Sequence, residues 1–301
     1  MNQMRRISRL IASLTLALSA ALAQNAHPTF DAASVKIYVK GPIVPGLLQM
    51  KGGPGTSEPG RMRWGLTTLQ QLIMKAWDVE EYRIISRTPL IARGPSYAIE
   101  VTMPPETTKA EFRLMLQNLL IERFQLRLHH ENRMLPGYEL VVAPGDPKLK
   151  QSADPDAPDP IFGASGERDP DGFLVLPPGH GSAIGMGPDG EQVTAKSYTI
   201  PDFIADRLRH FVSGSDGSPR YIADKTGLTG KYDFKLKFNP RLGNVTIGPV
   251  GAATSMNFDN GSFPDIFTAV QKQLGLRLVK SKGFLLDTLV IDHIETIPTS
   301  N

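Results

Sequence analysis

The sequence contains no cysteine. This absence excludes disulfides, thiolate nucleophiles, cysteine-ligated metal sites and a lipid anchor on an N-terminal cysteine. Long apolar runs are also scarce, and the one near the N-terminus, residues 10–22, is shorter than the roughly 20 residues that a membrane-spanning helix needs. The chain must therefore be stabilised by its core alone, and 41% of its residues are hydrophobic.

The N-terminus has the three parts of a secretory signal peptide. Three arginines come first, the apolar run over residues 10–22 follows, and the small residues Ala21 and Ala23 come last. We predict a signal peptide over residues 1–23, cleavage before Gln24, and a periplasmic or secreted protein without a transmembrane anchor. The alternative is an uncleaved anchor, which the short apolar run disfavours.

A strong excess of charge of one sign is lacking as well. The formal net charge is +3, but the predicted signal peptide holds three Arg and no acid, so removing them from the 33 basic residues leaves 30 against 30 acidic ones. A balanced chain without a long lysine or arginine run lacks the electrostatic footprint of a nucleic-acid-binding protein. We therefore predict no nucleic-acid partner, and no motif predicts a cofactor.

Glycine and proline, in contrast, are abundant, with 28 and 25 residues. They are densest over residues 143–196, where runs such as Asp-Pro-Asp-Ala-Pro-Asp-Pro disfavour a helix or a central strand. We predict a Gly/Pro/Asp-rich connector here. It joins a first α+β unit over residues 24–142, which includes extra N-terminal strands, to a second α+β unit over residues 197–301.

Hydrophobic periodicity predicts the same order of elements on both sides of the connector. In the first unit we expect a helix capped by Thr67 or Thr68, strands at 82–86 and 97–101, a helix over 108–122, and strands at 124–129 and 138–142. In the second unit we expect a helix over 200–211, strands at 221–222 and 232–238, a helix over 266–274, and strands at 276–279 and 288–291. Extra strands are expected at 30–38, 47–51 and 61–64.

The repeated order predicts an internal duplication. Residues 124–128 and 274–278 also share the letters Leu-Arg-Leu. The alternative is that an α+β chain shows this order twice by chance. We predict an α+β fold of two related helix-strand-strand-helix-strand-strand units, each a small sheet with two helices on one face.

Two places could contact a ligand or partner. The first is Asp224, Lys225 and Thr226, whose residue types favour a structural turn, although loops also carry binding sites. The second is Asp292 beside His293 at the end of the last strand, where an acid could orient an imidazole as a general base. Neither place has a recognisable nucleophile, so we predict no catalytic, cofactor-binding or metal-binding residue.

Three further motifs lack the structural context that their chemistry needs. A Gly-x-Gly-x-x-Gly pattern at residues 185–190 lies in the connector, and not between a strand and a helix. His129 and His130 are neighbours on a predicted strand, so their side chains point to opposite faces. Ser182 lies in a glycine-rich run, and not in a strand-turn-helix elbow.

Several motifs together resemble the Solibacter-type paralogue family of exported acidobacterial proteins, a domain of unknown function. The resemblance spans nearly the whole chain after the predicted signal peptide, and it weakens at residues 93–97 and 283–287. Its motifs lie at residues 30–36, 68–73, 116–124, 224–234, 267–276 and 289–295. The resemblance implies export and this architecture, but it implies no catalytic residues. Related domains occur joined to membrane metallopeptidase sensors, which implies a sensing or binding role.

The sequence favours a non-catalytic periplasmic or secreted binding module over an enzyme. Its partner would be a protein or an envelope ligand that meets exposed strand edges or the connector. The alternative is an envelope hydrolase that uses polar residues near His293 and the turn at Asp224.

Overall fold

The computed structural model describes most of the chain. The described residues are 28–39, 45–88, 90–156, 166–177, 179–187, 189–212, 220–239, 245–247, 254–256 and 263–299. The chain forms two compact units, of which the first contains the described residues up to Glu131 and from Leu289 onward, and the second contains Asn132–Thr288. Among the described residues, no helix combines the length and the apolar character needed to cross a membrane.

The main sheet of the first unit has four antiparallel strands in the order β1-β5-β3-β2. These strands are β1 (Ala32–Ile37), β2 (Met50–Gly52), β3 (Arg61–Thr67) and β5 (Tyr97–Thr102). Alternate residues of β5 are buried, which is the pattern of a strand with one face on a core. Strand β1 pairs with β5 along its whole length, from Ala32 opposite Thr102 to Ile37 opposite Tyr97.

Helices of the first unit supply much of its core. They are α1 (Leu69–Trp77), α2 (Leu90–Arg93) and α3 (Lys109–Phe124), and single 3₁₀ turns occur at Pro45–Leu47 and Glu81–Arg83. Thr68 and Thr108 begin α1 and α3 with reciprocal capping boxes, which satisfy backbone N–H groups that a helix start leaves unpaired. The buried faces of both helices join the main sheet in one hydrophobic cluster.

A second, smaller sheet completes the first unit. Its strands, in the order β4-β16-β6, are β4 (Ile84–Ser86), β6 (Arg127–Leu135) and β16 (Phe284–His293). Strand β16 runs parallel to β4, with Leu289 opposite Ile84. The last strand of the chain thus contributes to the core of the first unit, in which Leu289 and Ile291 are buried.

The main sheet of the second unit is also antiparallel and four-stranded, in the order β8-β12-β10-β9. These strands are β8 (Lys150–Gln151), β9 (Gly181–Gly187), β10 (Gly190–Tyr198) and β12 (Tyr232–Phe238). Strands β9 and most of β10 lie in the stretch for which the sequence predicts a connector. Their glycines fit close contacts, since a Cβ at Gly185 would lie 2.9 Å from Nη1 of Arg168 and one at Gly190 would lie 2.4 Å from the carbonyl oxygen of Phe238.

Two helices and a three-stranded sheet complete the second unit. Helix α4 comprises Ile200–Phe203, a π-helical turn Ile204–Leu208 and Arg209–Phe211, and helix α5 comprises Ile266–Ala269 and a π-helical turn Val270–Leu274. The sheet has the order β11-β7-β15, with β7 (Gly137–Val142), β11 (Tyr221–Asp224) and β15 (Leu276–Lys280). Strand β7 runs parallel to β11 and antiparallel to β15. The short strands β13 (Val245–Ile247) and β14 (Thr254–Met256) pair with each other.

The two units share details that element order alone does not require. In the first, the register shifts between Trp64 opposite Ile99 and Thr67 opposite Tyr97. In the second, the same shift of one residue falls between Ala195 opposite Phe234 and Tyr198 opposite Tyr232. A threonine with a capping box begins the helix that follows the bulged strand in both units. In both, a strand from the other half of the sequence pairs in parallel with the short strand after that helix.

The α+β fold class is confirmed, and the predicted helices and strands are present within a few residues of their expected positions. The predicted duplication and its boundaries stay predictions. The predicted signal peptide lies outside the described residues.

Candidate functional site

The predicted contact residues near Asp224 form a self-contained turn in the second unit. Oδ1 of Asp224 accepts hydrogen bonds from the backbone N–H of Thr226 at 2.9 Å and from its hydroxyl at 2.7 Å. The Thr226 hydroxyl oxygen accepts a third bond from the N–H of Leu228 at 3.1 Å. The N–H of Lys225 donates to the carbonyl of Leu140. These side-chain and backbone groups are used within the fold, as in an Asx turn.

The other two predicted contact residues, Asp292 and His293, lie in the first unit. Nδ1 of His129 lies 2.9 Å and 3.1 Å from the two carboxylate oxygens of Asp292. Nε2 of His293 lies 3.2 Å from Oε1 of Glu295. The side chains of His129 and Asp292 are each about half exposed, at 51% and 47%. Neither unit contains both the pair at Asp292 and the turn at Asp224. In the part of the chain that the structure describes, no group of three or more His, Asp or Glu side chains could hold a metal ion.

Ser182 belongs to a polar network under helix α4, and not to a hydrolase elbow. Nε of Arg207 donates to the Ser182 hydroxyl at 2.7 Å, and Nη2 of Arg207 donates to the Ser182 carbonyl at 3.0 Å. The Ser182 hydroxyl bonds to Tyr198, whose own hydroxyl donates to Asp206 at 2.5 Å. Arginine cannot accept the proton that an attacking serine must lose. Arg207 therefore cannot act as a base for Ser182.

A groove of about 370 Å³ opens at the edge of the main sheet in the second unit. It lies beside β8 and β12, and helix α5 ends at one side of it. Four lysines line it, namely Lys148, Lys150, Lys196 and Lys235. The residues Lys150, Lys196 and Lys235 lie on the face of the sheet that points away from the hydrophobic core, because the core residues Ala195 and Phe234 occupy the alternate positions.

In the part of the chain that the structure describes, three of these lysines have no ion pair. Nζ of Lys148 donates to the carbonyl of Lys272 at 2.9 Å, and Nζ of Lys196 lies 3.5 Å from the carbonyl of Leu176. A carbonyl accepts a hydrogen bond but carries no net charge. Among the described residues, no carboxylate forms an ion pair with Lys148, Lys150 or Lys196.

Three carboxylates near the groove are already engaged. Asp169 forms an ion pair with Lys235, whose hydrogen bond lowers the pKa of that carboxyl, and Oδ2 of Asp171 lies 3.9 Å from Nζ of the same lysine. Oδ1 of Asp233 accepts the N–H of Ser197 at 2.8 Å. Ser197 has a positive φ of 48°, so Asp233 supports the bulge of β10 at this point. The groove thus keeps a net positive charge, which attracts anions.

A buried hydroxyl at the groove has no partner. Thr194 is only 7% exposed, and its Oγ1 is buried without a hydrogen bond within the described part of the chain. An unsatisfied buried hydroxyl costs about 1–3 kcal/mol, so a bound acceptor or donor would recover this energy. Thr194 stands opposite Lys235 in the β10–β12 pairing, which places the hydroxyl among the lysines.

These groove residues were not predicted from the sequence. A signal was present, because Lys148 and Lys150, and likewise Lys235 and Lys237, are two residues apart. Side chains two residues apart on a strand share a face, so such spacing indicates a basic sheet surface. The spacing was not informative without knowing that residues 150–151 and 190–198 belong to one sheet.

Comparison with known families identifies one match. A family described as a protein of unknown function, DUF3738, matches residues 70–294, which is most of the chain. Comparison with curated proteins and with solved structures gives no match. Since the match spans both units described above, the chain belongs to the DUF3738 family of proteins of unknown function.

Proposed function

We propose that this protein is an exported, non-catalytic binding module that holds an anionic, carboxylate-bearing ligand in the basic groove of the second unit. The observation that carries the proposal is a set of three lysines around the buried hydroxyl of Thr194, which have no carboxylate partner among the described residues. Ammonium groups recognise carboxylates by charge-assisted hydrogen bonds, and the threonine hydroxyl can complete the set.

Export and origin belong to the same proposal. The N-terminal sequence supports a signal peptide, and the motif resemblance supports the narrower Solibacter-type group of exported acidobacterial proteins. N-terminal sequencing of the protein from a cell-envelope fraction should give Gln24 as the first residue. An intact N-terminus in that fraction would instead indicate an uncleaved anchor.

We propose an internal duplication because the two units have matching register shifts, capping boxes and strand orders. On this proposal the two repeats have exchanged their last strands. Strand β7 belongs by sequence to the first repeat but lies in the second unit, and the end of β16 belongs to the second repeat but lies in the first unit.

The alternative function, an envelope hydrolase, has less support. The predicted residues at Asp224 and His293 lie in different units, and the Ser182 hydroxyl bonds to Arg207 and Tyr198. The pair of His129 and Asp292 is the feature that fits a general base best.

The proposal is tested by thermal unfolding of the mature protein with two carboxylated polymers, poly-L-glutamate and polygalacturonate. A ligand that binds only the folded state raises the melting temperature. We expect a rise that disappears in high salt and in Lys150→Glu. The matched control is Lys225→Glu, a lysine in the turn at Asp224, which should keep the rise. A rise that persists in Lys150→Glu but is lost in Lys225→Glu would move the site to the turn.

A further inference from the structure

The two units differ at one edge of their main sheets. In the first unit, β1 covers the edge of β5 over six residue pairs, Ala32 to Ile37 against Thr102 to Tyr97. In the second, β8 covers the equivalent edge of β12 over two pairs only, Gln151 with Tyr232 and Lys150 with Asp233. Among the described residues, no strand continues β8 along β12. The length without a partner strand corresponds to the four positions that residues 32–35 fill in the first unit, and Gln273 takes one of them, the position at Lys237.

Part of this edge offers free backbone groups. The amide of Gln273 bonds both backbone groups of Lys237, with Oε1 accepting the N–H at 2.9 Å and Nε2 donating to the carbonyl at 2.7 Å. Backbone groups of residues two apart on a strand face the same side, so the N–H and carbonyl of Lys235 also face the open edge. In the described structure no hydrogen bond to them is found. The side-chain amide of Gln273 stands where the peptide group of a further strand would lie.

The chemistry on the two sides of the open edge differs. Lys148 and Lys150 lie on the outer side, together with the unpartnered hydroxyl of Thr194. Buried apolar side chains, including Phe234 and Leu274, line the inner side. A strand in this position presents alternate side chains to the two sides, as β1 does when it buries Val35 in the core of the first unit.

We infer that the open edge of β12 binds an extended acidic peptide segment, which adds a strand antiparallel to β12 in line with β8. Its acidic side chains would face the lysines, and the alternate, apolar side chains would take the positions that Ala33 and Val35 hold in the first unit. Main-chain pairing gives such sites affinity, and the alternating side chains give them specificity. This inference rests on the proposed function and names its ligand class.

The chain's own acidic run after β8 does not suit this position. It reads Asp-Pro-Asp-Ala-Pro-Asp-Pro over residues 154–160, and its three prolines have no N–H to donate. A strand that pairs with the edge of β12 must donate N–H groups from every second residue. A segment from another molecule, without these prolines, therefore fits the edge better.

The test uses the mature full-length protein and a fluorescein-labelled octapeptide of alternating glutamate and valine. Binding is measured by fluorescence anisotropy. Two further peptides carry N-methyl groups, one on every glutamate and the other on every valine. Strand pairing directs only one of these two sets of N–H groups at β12. We therefore expect one N-methylated peptide to bind about tenfold or more weakly than the parent, and the other to bind nearly as well.

Variants of the protein separate pairing from charge. Lys150→Glu should weaken the parent peptide about tenfold or more, while Lys282→Glu, an exposed lysine outside the groove, should not. Gln273→Ala frees both backbone groups of Lys237 and should strengthen binding. A circular-dichroism melt of each variant shows whether it is folded.

The outcomes are distinct. If both N-methylated peptides bind like the parent and Lys150→Glu still weakens binding, the groove binds by charge alone, and strand addition is overturned while the proposed function stands. If polygalacturonate binds through Lys150 and no acidic peptide binds, the inference of a peptide ligand is overturned while the proposed function stands. If no anionic probe binds, both proposals fail.

Discussion

The hydroxyl of Tyr97 donates a hydrogen bond of 2.6 Å to the carbonyl of Thr296, across 199 residues of sequence. Two backbone bonds lie alongside it, from Glu295 to Phe124 and from Thr299 to Arg123. The last residues of the chain are therefore integral to the first unit, and not an extension of the second.

Deleting residues 289–301 should unfold the first unit. The deletion removes the buried side chains of Leu289 and Ile291, each of which contributes about 1.5–3 kcal/mol, together with the pairing to β4. Losses of that size approach the total stability of a domain, roughly 5–15 kcal/mol. Hydrogen exchange followed by mass spectrometry should show fast exchange in β4, β5 and α3, with protection retained in β10 and β12.

Two contiguous repeats predict the reverse pattern. In that case the deletion would expose amides of the second half, residues 197–288, and leave the first unit protected. That result would contradict the proposed exchange of strands between the two repeats.

Replacing Tyr97 by Phe should cost about 0.5–1.5 kcal/mol of unfolding free energy, because one buried hydrogen bond is lost and the ring is kept. The ring packs edge-on against Phe124 at 5.1 Å and should retain that contact. Urea unfolding measures the loss. Tyr38→Phe is the matched control, since the Tyr38 hydroxyl has no partner within the described residues. An equal loss in both variants would contradict a specific role for the bond to Thr296.

Glu191 should make the stability of the second unit depend on pH. Burial raises the pKa of Glu191 from 4.5 to about 7, and the nearby charge of Arg207 opposes this shift. Because the folded state then holds a proton that the unfolded state releases, the contribution of Glu191 to stability is fully present below pH 4.5 and is lost as the pH rises through 7. The shift corresponds to about 3 kcal/mol in total, at 1.36 kcal/mol for each pH unit.

Chemical unfolding at pH 4.5 to 8 measures this slope. Glu191→Gln should flatten it and should be more stable than the natural protein at pH 8. Exposed Glu106→Gln should leave the slope as it is. If the slope is the same in Glu191→Gln, another group causes it.

Asp224→Ala should destabilise the protein without affecting the binding of anions. The change removes the acceptor of two hydrogen bonds from Thr226, so we expect a loss of about 1 kcal/mol. Asp224→Asn keeps an acceptor oxygen and should lose less. The measurement is urea unfolding together with anisotropy of the acidic peptide. Weaker peptide binding by a folded Asp224→Asn would restore the turn as a ligand contact.

The sequence predicted the elements whose signals are local. The apolar face of α3, the capping threonines and the alternation in β5 each arise from neighbours in the chain, and each predicted its element within a few residues. The sequence did not predict β9 and β10, because the glycines that indicated a connector are explained by contacts with distant groups such as Arg168. The pairings of β7 with β11 and of β16 with β4, like the basic groove, join residues far apart in sequence. No local pattern encodes these pairings.

The position of β16 has a consequence for how the chain is made. The first unit is synthesised first, yet the strand that pairs with β4 is translated last. While the ribosome is still adding residues, the growing chain cannot close that sheet, and the edges of β4 and β6 stay unpaired. Open edges favour aggregation, so we expect β4 and β6 to be exposed to wrong pairing until β16 has been made.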